Sequence, residues 1–306
     1  MLVGSGLAAG MTGLPSLALA APWQPVQNVS FIVPAGPGGA LDQVGRTMKQ
    51  FYDESGLASP SSAFTVINKP GANGKIAFET LKQRPGDAHF LSINTHGYLA
   101  SYLTGNLDIL PHRDFTTIAV LQDEFLTLSV RADSPFKNLQ DLLREMRRDP
   151  GSQRMGVATS IGNHIHVGTA KALKAGGVDI KKLVVAPFKS SSDSIVALAG
   201  GHLEVVASTT PNVIAMMDAG KIRVLAVSSE KRLGGSFADV PTWREAGVDS
   251  TFSSALGIIA PKGIRADEVL YWEDACRRMV DSREWKLLAE RNQSRSHFMA
   301  HEQAAA

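Results

Sequence analysis

Residues 29–52 read VSFIVPAGPGGALDQVGRTMKQFY, and this one stretch decides the fold class. It opens on a β-branched and aromatic run in which Phe31 and Val33 belong to a strand. Further on, Leu41, Val44, Met48 and Phe51 recur at spacings of three and four, the mark of one helix face. The glycine-rich turn Gly36-Pro37-Gly38-Gly39 joins the two. The same alternation continues outward with FTVINKP, GKIAFETLKQ and HFLSINT. FTTIAVL and FLTLSVRA read as two strands, followed by a helix, NLQDLLREMRRD, opened by Ser134-Pro135. Then come MGVA, a helix near HVGTAKALKA, KLVVAPF, SDSIVALAGG, LEVVAS, NVIAMMDAG and IRVLAVSS, and two helices, ADEVLYWEDACRRMVDS and SREWKLLAER, close the series. Strand followed by helix, repeated, predicts parallel βαβ units and an α/β fold.

The chain has 306 residues, which suggests two domains with a substrate cleft between them. With 31 Lys or Arg against 29 Asp or Glu the net charge is +2, and no electrostatic case for nucleic acid exists. The single cysteine, Cys276, excludes an intramolecular disulfide and any Cys-cluster metal site, and reads as a small core residue. Asp42 is the first charged residue. Residues 2–17 are small and apolar, and Ala18-Leu19-Ala20 before Ala21-Pro22 has the small-x-small form of a secretory cleavage site. Cleavage after Ala20 and an exported, soluble mature protein are therefore expected; the missing basic region means either that a basic segment precedes Met1 or that the signal is a weak one. No later stretch is apolar for long enough to span a membrane.

Two loops carry the chemistry. The turn from Gly36 to Asp42 brings glycines, and the free N–H groups of a helix's first turn, to one place, an arrangement that favours an anion. It lacks the Gly-Lys-Ser/Thr of a nucleotide loop and the last glycine of the dinucleotide fingerprint. A second strand-to-helix loop runs from Gly156 to His166, where Thr159, Ser160 and Asn163 offer hydroxyl and amide groups beside another helix start. Two rival readings share that loop. Ala158-Thr159-Ser160-Ile161-Gly162 resembles a nucleophile elbow, which would make Ser160 the nucleophile of a secreted hydrolase. His164 and His166 could hold a metal, but positions i and i+2 of a helix point to different faces.

Taken together, the loops resemble those of the periplasmic solute-binding receptors of tripartite tricarboxylate transporters, the Bug family. The resemblance covers nearly the whole mature chain and rests on Pro34 to Asp42, on Asn68-Lys69-Pro70-Gly71-Ala72-Asn73-Gly74 and on Gly156 to His166. Pro187-Phe188-Lys189, Ala199-Gly200-Gly201-His202, the segment from Ala219 to Val227 and Asp239-Val240-Pro241-Thr242 follow in the same order. It implies a two-lobed, type II "Venus flytrap" with residues 21–127 and 228–306 in one lobe and 128–227 in the other. Crossings near Leu128 and Val227 would serve as the hinge. It further implies a carboxylate held by Gly38, Gly39, Ala40, Leu41 and Asp42 opposite Thr159, Ser160, Ile161, Gly162 and Asn163. Thr95, His96 and Thr209 would line the rest of the cleft. The partners implied are a small organic acid and the membrane permease, for a monomeric receptor with no cofactor, no metal and no chemistry of its own.

Departures from the family bear on the ligand. Leu41 stands where relatives often place Thr or Trp, Ser191 and Ser192 replace a usual Gly-Gly, and Ser254-Ala255-Leu256 replaces an Asn-Trp-Arg-like stretch. Lys189 is then the only fixed cation in the segments assigned to the cleft. A mono- or dicarboxylate is expected rather than citrate, because each further buried carboxylate needs its own partner.

Overall fold

The computed structural model describes residues 23–57 and 62–305, so the expected leader and its cleavage site after Ala20 lie outside the described residues. Strand β1 (Val29–Val33) leads to α1 (Ala40–Glu54), β2 (Phe64–Asn68) to α2 (Lys75–Lys82), and β3 (Phe90–Thr95) to α3 (His96–Leu103). A short α4 (Pro111–Asp114) precedes the long β4 (Phe115–Arg131). The next units are α5 (Leu139–Arg148), β5 (Met155–Ala158), α6 (His164–Ala175), β6 (Val185–Phe188), α7 (Ser191–Ala199), β7 (Val205–Thr209), α8 (Thr210–Asp218) and β8 (Ile222–Val227). The chain closes with β9 (Ser253–Pro261), α9 (Ala266–Asp281), α10 (Arg283–Asn292), β10 (Arg295–Ala300) and α11 (His301–Ala305).

Two sheets share one strand. In the first, β2, β1 and β3 run parallel, β9 lies antiparallel beside β3, and the N-terminal half of β4 follows, edged by β10. The C-terminal half of β4 belongs to the second sheet, between β8 and β7, with β5 and β6 beyond. The change of sheet falls at one peptide: Phe125 still pairs with Ser253 of β9, and Leu126 already pairs with Thr209 of β7.

The sequence suggests two strands where β4 is one, because Gln122-Asp123-Glu124 interrupts an apolar run. All three are buried, and distant residues satisfy the first two. Ser294 donates its hydroxyl to Gln122 Oε1 at 3.0 Å, and Arg295 donates to Asp123 at 2.6 Å. A buried polar group with a partner no longer opposes a strand.

Each sheet has its own core. The first packs Phe31, Val44, Met48, Tyr52, Trp272 and Trp285 around β1 and β3. The indole N–H groups of Trp272 and Trp285 reach Ala88 O and Ser296 Oγ. Leu126, Leu142, Met155, Val205 and Trp243 anchor the second. Residues 228–252, expected with the first lobe, side with the second: Trp243 and Val248 join the core of β5 and β7, and Phe237 and Val240 that of β7 and β8. The chain returns to the first sheet only at Ser253, since burial of these large side chains outweighs their place in the sequence. Cys276 sits buried in the first core, its thiol pushed up by burial and then by Glu273, which suits a packing role.

Candidate functional site

In both sheets the parallel strands end at the start of a helix, and ligands of open α/β sheets bind beyond such carboxyl ends. At the end of β1, Gly38 takes φ +82°, a left-handed backbone that glycine adopts without strain. Asp42, 1% exposed, does not cap α1. It turns back to accept from Gly38 N at 2.9 Å, from Arg46 Nε at 2.7 Å and from Asn68 Nδ2 at 3.0 Å. Burial pushes the Asp42 carboxyl up, but the bonds from Arg46, Gly38 and Asn68 outweigh it and hold it below the ordinary range. The turn's own anion is thereby neutralised. The amide of Gly38 is committed to Asp42, whereas those of Gly39, Ala40 and Leu41 donate to no partner among the described residues.

The second turn uses neutral groups. Asn163 caps α6 by accepting from His166 N at 3.0 Å, while its amide donates to Ala158 O. His166 Nδ1 in return accepts from Gly162 N at 3.0 Å, and Gly162 is left-handed at φ +91°. These bonds fix Gly162 and Asn163 as organisers of the turn and leave the amides of His164 and Ile165 without an internal acceptor among the described residues. Ile161 stands exposed, and Thr159 and Ser160 lie between strand and cap.

The segment after α3 supplies polar contacts between the two halves, and Thr210 Oγ1 adds another by donating to Gln293 O at 3.3 Å. Asn106 donates to Ile161 O at 2.9 Å, and Thr104 Oγ1 approaches Gly162 O at 3.4 Å. His164 packs so closely on Gly97 that a Cβ there would lie 2.5 Å from its ring nitrogen. Thr95 caps α3 by accepting from Gly97 N, and His96 Nδ1 accepts from Ala255 N at 3.2 Å. No hydrogen bond or ion pair among the described residues joins the Gly38–Asp42 turn directly to the Thr159–Asn163 turn. Thr104 and Asn106 were not selected from the sequence, since no motif marks them.

Around this junction polar atoms are buried without partners: Asn94 Oδ1, Ser160 Oγ, His164 Nδ1 and Ser208 Oγ. Buried polar atoms are ordinarily satisfied, and these four gather near the ends of β3, β5 and β7, while Thr127, Thr169 and Trp243 leave similar atoms unpaired elsewhere in the core. The cleft carries little fixed positive charge. Burial, and then His96, push His164 down to about 4, so its ring is neutral near pH 7. Lys189 is exposed beyond β6. Ser160 Oγ has no histidine partner, which removes the activation a hydrolase nucleophile needs. Among the described residues no group of three or more His, Cys, Asp or Glu is placed to hold a metal ion.

A cavity of about 850 Å³ opens elsewhere, beside the strands that cross between the sheets, and is lined by Phe125, Ser228, Arg232, Phe252 and Arg295 among others. None of the residues selected from the sequence lines it. Its arginines are already engaged, Arg232 with Glu245 and Arg295 with Asp123.

Residues 56–304 match the family described as the tripartite tricarboxylate transporter family receptor. A UPF0065 protein of Cupriavidus necator is 29% identical over 275 residues, covering 90% of this chain and 80% of its own. A TctC solute-binding protein from Polaromonas superposes with a TM-score of 0.67 at 26% identity, over 92% of this chain and 93% of the other. A Rhodopseudomonas palustris protein solved with adipate gives a TM-score of 0.79 at 24% identity, over 92% of each chain, a likeness of fold.

Proposed function

We propose, from the premise that this chain belongs to the tripartite tricarboxylate transporter receptor family and is a solute-binding receptor rather than an enzyme, that its solute is a mono- or dicarboxylate closed between two lobes. The observation that carries this reading is the pair of helix starts, α1 and α6, whose first amides lack internal acceptors, and beside which no unpaired cation stands, among the described residues. Such amides hold one carboxylate well. A tricarboxylate would leave further charge unpaired in a closed site, where it is costly. The adipate held by the R. palustris relative fits the same chemistry.

The lobes correspond to the two sheets, hinged where β4 passes from Phe125 to Leu126 and where the chain returns near Ser253. Asn94, Ser160, His164 and Ser208 complete the pocket, and the loaded monomer delivers its acid to the membrane permease. The receptor works in the periplasm after cleavage behind Ala20. Calorimetric titration with adipate, succinate, malate, benzoate and citrate tests the ligand class. Tightest binding by one of the first four is expected, and citrate as the tightest ligand overturns it.

A further inference from the structure

Glu124 stands at the one place where both halves of the molecule meet on a single strand. It pairs with Ser254 of β9, one residue before β4 leaves the first sheet, and its carboxyl receives a hydrogen bond from Thr209 at the end of β7. The parallel register of Val157 opposite Ala207 brings the end of β5 beside the end of β7. On the other side Ala255, next to Ser254, donates its amide to His96. Glu124 therefore lies on the cleft floor between the ends of β3 and β7, and it is 7% exposed.

Its partners are all donors. Thr209 Oγ1 already accepts from Asn212 Nδ2 at 2.8 Å, so its own proton is free for Glu124. Gln122 Oε1 takes the Ser294 hydroxyl, which turns its amide nitrogen toward Glu124 Oε1 at 3.5 Å. The nearby basic groups serve the other face of β4, where the Arg295 guanidinium and the His297 ring both contact Asp123. From β9 comes Ser254, from β7 and α8 come Thr209 and Asn212, and the remaining titratable neighbours are His96 and the neutral His164. Burial pushes the Glu124 carboxyl up to about 7 against the bonds from Thr209 and Gln122. A carboxyl buried without a cation favours its protonated form, which adds one O–H donor to the cleft floor.

We propose that Glu124 is a specificity-determining residue of the ligand cleft, whose protonated carboxyl donates a hydrogen bond to the captured acid, so that binding is coupled to one proton. The inference rests on the carboxylate reading above. When Glu124 is ionised in the free protein, the proton comes from solvent and remains on its oxygen in the complex.

The test is calorimetry of the intact protein with adipate, succinate, malate and benzoate between about pH 7 and 8.5, in buffers of different ionisation heat. These acids are fully ionised throughout that range, so their own titration adds nothing. The expected result is uptake of close to one proton per ligand at the alkaline end, and an affinity falling about 16-fold between pH 7 and 8.5, with the slope approaching ten-fold per pH unit only at the alkaline end. Glu124→Gln keeps a donor, so it should bind with no proton uptake and a flat profile, whereas His96→Gln should retain the slope. A wild-type protein that binds without proton uptake overturns the inference and leaves the carboxylate reading standing, even if the variant fails to fold. A Gln variant that retains the slope also overturns it. Failure of all four acids to bind at pH 7 overturns both.

Discussion

The turns after β1 and β5 do the same task with opposite chemistry. The first is tied from within by a carboxylate, Asp42, whose charge must then be offset by Arg46 and Asn68. The second is tied by an amide and a neutral imidazole, Asn163 and His166, and needs no counter-charge. A buried anion organises a turn strongly but disfavours a second anion beside it; neutral caps are weaker and leave the helix's first amides at full strength. The two turns therefore differ in what breaks them.

The largest difference should come from removing the ties. Asp42→Ala removes the acceptor of Gly38 N and Arg46 and one of the two acceptors of Asn68, and an orphaned buried donor costs about 1–3 kcal/mol. Carboxylate affinity should fall roughly ten- to a hundred-fold, about 1.4–2.8 kcal/mol, with the fold retained. Asn163→Ala removes a cap worth about 1 kcal/mol and should lower the melting temperature more than the affinity. Calorimetry and thermal melts on the two variants check this, and equal losses of affinity would erase the distinction.

A smaller contrast lies in the glycines. Gly38 and Gly162 are both left-handed, but a Cβ on Gly38 meets nothing within 4 Å, whereas one on Gly162 meets Thr104 Oγ1 at 2.9 Å and Asn106 Nδ2 at 3.0 Å. Gly38→Ala should cost about 1 kcal/mol of backbone strain alone. Gly162→Ala adds a clash with the opposite half and should also alter how the halves close. Small-angle scattering with and without ligand would show it as a less compact loaded particle.

Acid should separate the turns most finely. His164 has an ordinary value of 6.5 and is depressed to about 4 when folded, so between those values the unfolded chain binds a proton that the folded chain does not. The stability it contributes is complete above pH 6.5 and is lost as pH falls toward 4, by at most about 1.4 kcal/mol per pH unit. Asp42, also depressed, contributes stability that is present above 3.8 and disappears only as pH falls through its lower folded value. Melting curves of His164→Gln should be flatter than wild type between pH 6.5 and 4, and those of Asp42→Asn only below about pH 4.

Sequence reading succeeded where information is local. Phe31, Val33, Leu41, Val44, Met48 and Phe51 declare a strand and a helix by their spacing alone. The loop at Gly162 and Asn163 shows its helix start in its residue types. No local pattern marks Glu124, because Gln122-Asp123-Glu124 reads as a polar break; three consecutive polar residues inside an apolar run are the one signal it leaves.

The sequence by itself determined that this is an α/β chain with two glycine-bearing strand-to-helix turns, because strand, helix and glycine turn are set by neighbours within a few residues. Only the tertiary structure decided that β4 is one strand shared by two sheets, since the partner of Asp123 lies 172 residues away at Arg295. It alone assigned residues 228–252 to the second core, through Trp243 and Val248. It also brought Asn106 to Ile161 and Thr209 to Glu124. Burial and hydrogen-bond satisfaction depend on which distant residues come into contact, and no local period encodes that choice.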